Sequence, residues 1–315
     1  MTAPALSVSV IVLNWNGADH LAPCLESVRR LTFPRRDLWL VDNASQDDSA
    51  DRAERDFPEI GLIRNSTNLG YAGGNNVGFR STRGDLVLLV NNDTVLDPDA
   101  VEPLVESFER DPDLASGAPR LLYYDRPDVI NSAGLEIRAD CQPSSRGMGQ
   151  PDGERFREPT EVFGAHGACV MYRRSALERV GVFDEEFFAY NEEFDLAWRL
   201  RLAGYRAGYV PASRVLHREA MSLRQRPDRI LYLMERNRIW AMVKNLGWGT
   251  LVRRLPRLLL AEVQALRHCV GIRTAVPLRA RWDALKGLPG MLGKRRRVQG
   301  LRVVPDRAIE RWMLV

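Results

Sequence analysis

Five polar clusters along this sequence combine residue types that can bind a ligand or move a proton. The first is Asn91-Asn92-Asp93, which directly follows the apolar run 86–90. A carboxylate flanked by amides at the end of a buried strand suits a hard divalent cation, and such a cation can neutralise a departing diphosphate. Asn and Asp also favour turns, so this motif alone leaves an ordinary strand-end turn open.

The second cluster is Asp42-Asn43-Ala44-Ser45, which follows another short apolar strand. A carboxylate in this place can accept a hydrogen bond from a nucleobase N–H or from a ribose hydroxyl. Capping of the next helix by Ser45 or Asp47 is the structural alternative. The two interpretations are compatible, because they use different groups.

The third cluster is the segment 68–76, Asn-Leu-Gly-Tyr-Ala-Gly-Gly-Asn-Asn. Its glycines permit a ligand to approach the backbone closely, and the N-terminus of the helix that follows favours an anion. The G-x-G-x-x-G spacing of a dinucleotide-binding fold is absent, so this segment does not by itself identify a ligand.

The fourth cluster places Glu192, Glu193 and Asp195 after the aromatic stretch 187–190, at the start of a predicted helix. A carboxylate presented at a helix start can act as a general base. Acidic residues in a first turn also complement the helix dipole, and this structural interpretation fits Asp195 best. The fifth candidate, His217, is either a structural histidine or a contact to a metal or phosphate.

The elements that must position these clusters alternate between strand and helix patterns. Four largely apolar segments separated by helical periodicity have the pattern of strands, namely 6–13, 38–41, 60–64 and 85–90. Strands that are apolar throughout indicate a parallel sheet covered on both faces, and ligands bind at the carboxyl ends of such strands. We therefore predict an α/β fold with a mostly parallel, Rossmann-like sheet flanked by helices. Asp97 is predicted to cap a helix over 98–110.

Charge divides the chain into two parts. The net charge is +4, yet residues 224–302 contain 19 Lys and Arg against 4 Asp and Glu, and residues 1–223 carry a net charge of −11. Amphipathic helices are predicted beyond residue 228. We therefore predict an α/β domain over 1–224 and a basic, amphipathic helical extension over 225–315. The acidic body favours a metal as its partner, and the extension favours an anionic surface.

The helical extension combines apolar and basic residues, among them Trp248, Leu255, Arg253, Arg254 and Arg257. This composition predicts an interfacial helix on anionic lipid, and hence a cytoplasmic protein bound peripherally at the inner face of the cell membrane. A helical subdomain that packs on the sheet is the alternative, and the same helices could form a homodimer contact. No nucleic-acid partner, signal peptide, membrane span or cysteine pair is predicted.

Taken in order, six segments of the sequence resemble the family 2 glycosyltransferases with a GT-A fold, and most closely their rhamnosyltransferase-like members. The segments are 8–17, 41–45, 68–76, 90–93, 164–169 and 190–201, and the resemblance extends over about residues 6–245. It implies a nucleotide-sugar donor, Mg²⁺ or Mn²⁺ as the metal, and a glycan or polyprenyl-linked glycan acceptor in cell-envelope polysaccharide synthesis. The first candidate donor is dTDP-rhamnose.

The resemblance also implies roles for individual residues. Ten of them correspond to the pocket for the donor nucleotide: Asn14, Asn16, Asp42, Asn43, Asn68, Gly70, Gly74, Asn75, Asn91 and Asn92. Asp93 matches the last aspartate of the family's metal-binding D-x-D motif, in which Asn91 replaces the first aspartate. His217 resembles a late histidine that joins the metal site in some members.

Glu193 falls at the position of the family's catalytic base, and Glu192 precedes it in a Glu-Glu pair where the family has Glu-Asp. The implied mechanism is a single displacement, in which Glu193 takes a proton from an acceptor hydroxyl while that oxygen attacks the anomeric carbon. The configuration therefore inverts. Two alternatives stay open, namely a sugar nucleotidyltransferase, although segment 14–17 lacks the basic residue of a phosphate loop, and a non-catalytic, membrane-associated binding protein on the same fold.

Overall fold

The computed structural model of the protein describes residues 6–218, 227–271 and 274–314, and the predicted domain boundary at 224/225 lies outside these ranges. The strands within them are β1 (Val8–Asn14), β2 (Arg36–Asp42), β3 (Gly61–Arg64), β4 (Leu86–Asn91), β5 (Thr94–Leu96), β6 (Leu114–Tyr123), β7 (Ile130–Ser132), β8 (Leu135–Arg138), β9 (Pro143–Ser145), β10 (Thr160–Glu161), β11 (Cys169–Arg173), β12 (Arg206–His217) and β13 (Met313–Leu314).

The α-helices within the same ranges are α1 (Leu21–Arg29), α2 (Ser49–Asp56), α3 (Gly70–Ser81), α4 (Glu102–Arg110), α5 (Arg174–Val180), α6 (Glu192–Leu202), α7 (Pro227–Asn245), α8 (Trp248–Gly271), α9 (Val276–Lys286), α10 (Leu288–Gly300) and α11 (Asp306–Glu310). Two short 3₁₀ helices, Glu154–Phe156 and Glu185–Phe187, complete the elements. None of the helices in the described part of the chain is long and apolar enough to cross a membrane.

The main sheet has ten strands in the order β10-β12-β6-β11-β4-β1-β2-β3, with β5 added on β12 and β7 on β6. Strands β3, β2, β1 and β4 are parallel, and β6 is parallel to β12. Strand β11 runs antiparallel between β4 and β6. A small separate sheet has the order β13-β8-β9. This arrangement confirms the predicted α/β class with a mostly parallel sheet flanked by helices.

The two faces of the sheet are covered by different helices. Val8, Val10 and Val12 of β1 share one apolar cluster with α1 and α4, whereas Ile11 between them shares a second cluster with α3, α5 and α6. All four side chains are fully buried. Burial on both faces is what the continuous apolar strands predict, and in such sheets ligands bind at the carboxyl ends of the strands.

The predicted cap of α4 is wrong. The helix begins at Glu102 rather than at Pro98. The Asp97 carboxylate instead accepts hydrogen bonds from Arg214 Nη1 at 3.1 and 3.2 Å, and the carbonyl of Pro98 accepts one from the Thr32 amide at 2.8 Å. These tertiary contacts hold 98–101 as a turn, and they outweigh the local preference for a helix start.

The C-terminal helices share a core with the sheet part of the molecule. Phe194 and Trp198 of α6 belong to one apolar cluster with Trp240 of α7, Ala284 of α9 and Met291 of α10. Strand β13 adds to this contact by pairing in parallel with β8. The predicted packing of the extension on the body therefore describes one side of these helices.

A buried charge network crosses the same interface. Asp195, which is fully buried, accepts hydrogen bonds from Arg199 Nε at 2.9 Å, Lys244 Nζ at 3.0 Å and Asn245 Nδ2 at 2.8 Å. Lys244 also donates to Asp184 at 2.6 Å. Although burial opposes ionisation, the charges of Lys244 and Arg199 hold the pKa of Asp195 below its ordinary value. Asp195 therefore ties α6 to α7.

Candidate active site

Asn14 joins the ends of three neighbouring strands. Its Nδ2 donates to Asp42 Oδ1 at 3.0 Å and to Ser49 Oγ at 2.9 Å, and its Oδ1 accepts from Asn92 Nδ2 at 2.7 Å. Gly17 permits this arrangement, because a Cβ there would lie 2.2 Å from Asn14 Oδ1. The fully buried Asn14 thus fixes the carboxyl ends of β1, β2 and β4 relative to one another.

Asp42 and its neighbours are paired in the same way. The Asp42 carboxylate accepts from Ser45 Oγ at 2.5 Å and from the Ser45 amide at 3.1 Å, and it is 4% exposed. Asn16 has a φ of 53°, and its Oδ1 accepts from the Gln46 amide at 2.8 Å. These bonds serve the turn after β2. Of the two predicted caps of α2, Asp47 accepts a hydrogen bond from the amide of Ser49, the first residue of the helix, at 3.2 Å.

Asn43 organises the turn that leads into α3. Its Nδ2 donates to Asn68 Oδ1 at 3.0 Å and to the Gly70 carbonyl at 2.9 Å, while its Oδ1 accepts from the Leu69 amide at 3.0 Å. Gly70 has a φ of +71°, and a Cβ there would lie 2.2 Å from the Phe188 carbonyl. Glycine is therefore required where α3 meets the segment that precedes α6.

The other two α3 residues of the predicted pocket have packing contacts. A Cβ on Gly74 would lie 2.5 Å from Leu13 Cδ1, so this glycine lets α3 approach β1. Asn75 is buried, donates to the Tyr71 carbonyl at 3.0 Å, and borders a small cavity with Phe79 and Val87. The structure thus places Asn75 behind α3, away from the main cleft.

The main cleft has a volume of about 320 Å³ and opens at the carboxyl ends of β1, β2 and β4. Seven of the residues predicted for the site line it: Asn43, Asn68, Gly70, Asn91, Asn92, Glu192 and Glu193. Residues without a predicted role that also line it are Trp15, Tyr71, His166, Tyr190, Arg229 and Leu233. The fold therefore brings the strand-end amides and the two glutamates together around one cavity.

Asp93 and His217 form a pair beside this cleft. Asp93 Oδ1 lies 3.4 Å from His217 Nε2, and His217 is 5% exposed. Strand β5, which follows Asp93, pairs with β12, which ends at His217, and this pairing explains how residues so distant in sequence meet. Burial alone would raise the pKa of Asp93, but the neighbouring His217 holds that pKa below its ordinary value.

The Asp93–His217 pair fits a divalent cation. Asp93 Oδ1 is buried and has no hydrogen-bond partner among the described residues. His217 Nδ1 lies 2.9 Å from Asn131 Oδ1, an acceptor, so Nδ1 carries a proton and Nε2 faces the carboxylate. Either a proton or a metal ion between them satisfies both atoms. Within the described ranges no group of three or more His, Cys, Asp and Glu side chains is placed to hold a metal, so the other ligands would be diphosphate and water.

His166 lines the cleft, although no role was predicted for it from the sequence. Its ring lies 5.9 Å from that of His217, and its Nδ1 accepts from the Ala168 amide at 3.1 Å. Burial and the neighbouring His217 lower the pKa of His166 to about 3, so the ring is neutral and Nε2 carries the proton. The motif 164–169 contained this histidine, but only the fold places it beside His217.

Glu192 and Glu193 are adjacent glutamates, the first buried and the second half-buried, and one carboxyl oxygen of each is buried and unpaired. Oε2 of each has no hydrogen-bond partner in the part of the chain that the structure describes. Burial and the charge of Glu193 raise the pKa of Glu192 well above its ordinary value. Burial also raises the pKa of Glu193, but backbone N–H groups at the start of α6 favour its ionised form. Of the pair, Glu192 therefore takes the shared proton first, and Glu193 is left as the carboxylate.

Comparison with known protein families and curated proteins matches most of this chain. The profile named "Glycosyl transferase family 2" matches residues 9–181. The chain is 28% identical over 240 residues to the N-acetylglucosaminyl-diphospho-decaprenol L-rhamnosyltransferase of Mycobacterium tuberculosis, a match that covers 69% of this chain and 78% of that protein.

Solved structures show a likeness in fold at lower sequence identity. The S. aureus TarS 1–349 complex with UDP-GlcNAc matches with a TM-score of 0.61 and 13% identity, over 98% of this chain and 93% of that one. The complex of GalNAc-T7 with UDP, GalNAc and Mn²⁺ matches with a TM-score of 0.61 and 16% identity, over 76% of this chain. This chain spans about half of GalNAc-T7, or 48% of its length. At these identities the likeness shows the fold alone.

Proposed function

Because the chain belongs to glycosyl transferase family 2 and is a glycosyltransferase, we propose that it moves a sugar from a nucleotide-sugar donor to a lipid-linked glycan of the cell envelope. The single observation that carries this proposal is the set of unpaired carboxylate oxygens on Asp93, Glu192 and Glu193, in and beside one cleft. Buried unpaired carboxylates are costly unless a ligand completes them, so they support a catalytic protein over a non-catalytic one.

The strand-end wall of the cleft is the proposed donor side. Asn43, Asn68 and Gly70 line the cavity, and Asp42 precedes Asn43 at the end of β2, in positions suited to contact the nucleoside. Asp93 and His217 would hold Mg²⁺ or Mn²⁺, which supplies positive charge to the leaving diphosphate when bound. The Mn²⁺ in the GalNAc-T7 complex supports a divalent metal for this fold.

Glu193 is the proposed general base. Its carboxylate lines the cleft and stays ionised at a pH where Glu192 holds a proton, because the pKa of Glu192 is raised further. Glu193 takes the proton of the acceptor hydroxyl as that oxygen attacks the anomeric carbon. The nucleoside diphosphate leaves from the opposite face of the sugar, so a single displacement inverts the configuration.

The proposed donor is dTDP-rhamnose, and the proposed acceptor is a polyprenyl-diphosphate-linked glycan. The name of the mycobacterial relative, an N-acetylglucosaminyl-diphospho-decaprenol L-rhamnosyltransferase, supports rhamnose as the sugar and a polyprenyl-diphosphate-linked acceptor. Arg229 of α7 lines the cleft, with its guanidinium 4.8 Å from the centre of the Phe188 ring. A cation at this place suits an anionic group on either substrate.

A transfer assay tests this function. The protein is incubated with dTDP-rhamnose, UDP-GlcNAc or GDP-mannose, a short-chain N-acetylglucosaminyl-diphospho-prenol, and Mn²⁺ or Mg²⁺. We expect release of the nucleoside diphosphate from one donor, loss of release with EDTA, and an inverted anomeric centre in the product by NMR. No turnover of any donor, together with release of pyrophosphate from a nucleoside triphosphate and a sugar 1-phosphate, would establish the nucleotidyltransferase alternative.

We also propose that helix α8 binds peripherally to an anionic membrane surface, where a lipid-linked acceptor would be found. Val252, Leu255, Leu259 and Val263 recur at helical spacing along α8 and are 45–70% exposed. Arg257 lies on the same helix and is also exposed. A helix that exposes both an apolar stripe and arginine matches the chemistry of anionic lipid. A homodimer through these helices is the other proposed use of this surface.

Vesicle binding separates these two uses of α8. Leu255→Ser with Leu259→Ser should weaken binding to phosphatidylglycerol-containing vesicles about tenfold or more, because two apolar side chains that would enter the lipid are lost. Met148→Ser with Val303→Ser is the matched control, since both residues are exposed apolar side chains outside α8. Binding should also weaken with salt. If the wild type binds no vesicle at any salt concentration and sediments as a dimer that the α8 variant disrupts, the membrane proposal is wrong.

A further inference from the structure

The turn that precedes the two glutamates has an uncommon backbone. Phe188, Tyr190 and Asn191 have φ angles of 65°, 69° and 68°. Residues other than glycine rarely adopt this region, and they remain there only where surrounding contacts enforce it. Phe188 and Tyr190 line the cleft, and Glu192 follows directly. The direction in which the glutamates point therefore depends on what holds this turn.

Asn237 of α7 makes the contacts that hold the turn. Its side chain is fully buried, and its Nδ2 lies 2.9 Å from the Phe187 carbonyl, 2.9 Å from the Ala189 carbonyl and 2.7 Å from the Tyr190 carbonyl. One amide group thus contacts three backbone acceptors within four residues. Among the described residues, no other side chain donates hydrogen bonds to three carbonyls of this turn.

Arg236 fixes the orientation of this amide. Its Nε and Nη2 donate to Asn237 Oδ1 at 3.0 and 2.8 Å, so the Nδ2 group must face the turn. The same guanidinium donates to the carbonyls of Glu186 and Phe187 at 3.1 and 3.2 Å. The pair Arg236–Asn237 therefore supplies donors to carbonyl groups over 186–190.

Helix α7 also contacts the glutamate segment on both sides of this pair. Asn191 Nδ2 donates to the Met234 carbonyl at 3.0 Å. At the other end of the helix, Lys244 and Asn245 bind Asp195. Glu192 and Glu193 lie between these two attachments, so α7 holds the turn and the first turn of α6 as one unit.

We propose that Asn237 is a positioning residue of the transferase: it holds the 187–191 turn in the conformation that directs Glu192 and Glu193 into the cleft. Only a side-chain amide combines the donors that the carbonyls need with an acceptor for Arg236. The C-terminal extension is then part of the reaction machinery, in addition to any role at a membrane. The kinetic consequence rests on the proposed function, whereas the effect on the turn does not.

The variant Asn237→Leu tests this role, because it keeps the approximate side-chain shape and removes the amide. The matched control is Gln299→Leu, since Gln299 Nε2 donates to the carbonyls of Lys244 and Asn245 at 3.1 and 3.0 Å, at the far end of α7. We expect Asn237→Leu to lower kcat about a hundredfold, with the donor KM within threefold of wild type. Its kcat–pH profile should move towards that of an exposed glutamate. Gln299→Leu should change neither.

Amide hydrogen exchange over 187–195 supplies a readout that does not need activity. Exchange should rise at least tenfold in Asn237→Leu and remain unchanged in Gln299→Leu. If Asn237→Leu is insoluble, the smaller change Asn237→Ser is compared with Gln299→Ser. Unchanged exchange and an unchanged pH profile in the Asn237 variant would overturn the proposal. Raised exchange in a protein that transfers no sugar would support the role of Asn237 in the turn and reject the transferase function alone.

Discussion

The two walls of the cleft differ in how their polar side chains are paired. At the strand-end wall the polar side chains are hydrogen-bonded to one another. Asn14 donates to Asp42, Ser45 also donates to Asp42, and Asn43 donates to Asn68. On the opposite wall, Glu192 is buried and Glu193 is half-buried, and each leaves one buried carboxylate oxygen unpaired. Both walls are built from polar residues in motifs that the sequence displays.

This difference separates scaffold from reactive group. A saturated network has a single low-energy arrangement, so it can present the cavity in one shape before any ligand binds. A buried carboxyl group with an unpaired oxygen has a perturbed pKa, and its oxygen has a free lone pair. A general base or a metal ligand needs such a lone pair. Asp93 belongs with the reactive groups by this criterion, although it lies at a strand end.

The largest effect is expected at Asp93. Asp93→Asn removes the charge that would bind the cation and keeps the shape, so turnover should fall on the order of a thousandfold. The rate of nucleoside diphosphate release across a Mn²⁺ titration measures this. Asn91→Ala, at the first position of the same motif, is the comparison variant. Near-normal turnover of Asp93→Asn with unchanged metal dependence would remove Asp93 from the site.

The next effect is expected at the glutamate pair. Glu193→Gln should retain donor binding and lose transfer by a factor on the order of hundreds, because the general base is gone. Glu192→Gln should keep most of the rate, since Gln resembles the protonated form that Glu192 already favours. Single-turnover rates and donor titrations distinguish binding from chemistry. If Glu192→Gln is inactive and Glu193→Gln is active, Glu192 is the general base instead of Glu193.

The smallest effects are expected on the free energy of unfolding. Two substitutions in α6, at Glu192 and at Asp195, should change it with different pH dependence. The folded-state pKa of Glu192 is raised, so its stabilising neutral form is lost as pH rises from about 4.5, the ordinary value, towards the raised value. Glu192→Gln should therefore gain stability relative to wild type as pH increases from 5 to 8. The size of this gain measures the cost of burying the second charge.

Asp195→Asn provides the contrast. The pKa of Asp195 is lowered from 3.8, so its contribution is present above 3.8 and is lost only as pH falls through the folded value. This variant should be less stable by about 3 kcal/mol, because Lys244 and Arg199 lose their buried partner, and the deficit should be constant from pH 5 to 8. Urea unfolding of both variants checks this. If the stability difference from wild type varies with pH in the same way for both variants, the assigned opposite pKa shifts of Glu192 and Asp195 are wrong.

Much of the fold follows from local sequence pattern. The apolar runs that become β1 and β4 are buried on both faces, so their hydrophobicity alone marks them as central strands of a parallel sheet. The GT-A fold and the family are confirmed. The full length of β12 does not follow from local pattern, because the strand continues past Pro211 through a register shift between Val210 and Arg214. That continuation is what carries His217 to Asp93.

The site is less visible in the sequence, because several of its contacts join distant segments. Asn43 and Asn92 stand in recognisable strand-end motifs, whereas Asn237 lies among charged residues of an amphipathic helix and meets its partners about 50 positions away. For Asn75 the motif was misleading in the opposite way. It predicts a place in the pocket, but the side chain borders a separate small cavity on another side of α3. The roles of the pocket, metal and base residues stay predictions.

The central claim is that the cleft binds a nucleoside diphosphate together with a cation at Asp93. A thermal-shift measurement with dTDP, UDP and GDP, each with and without Mn²⁺, tests it on the wild type and on Asp93→Asn. Ligands that bind only the folded state raise its stability by mass action. We predict a rise with one nucleotide that Mn²⁺ enlarges in the wild type and does not enlarge in Asp93→Asn. No shift with any nucleotide, or an equal Mn²⁺ effect in both proteins, would contradict the account.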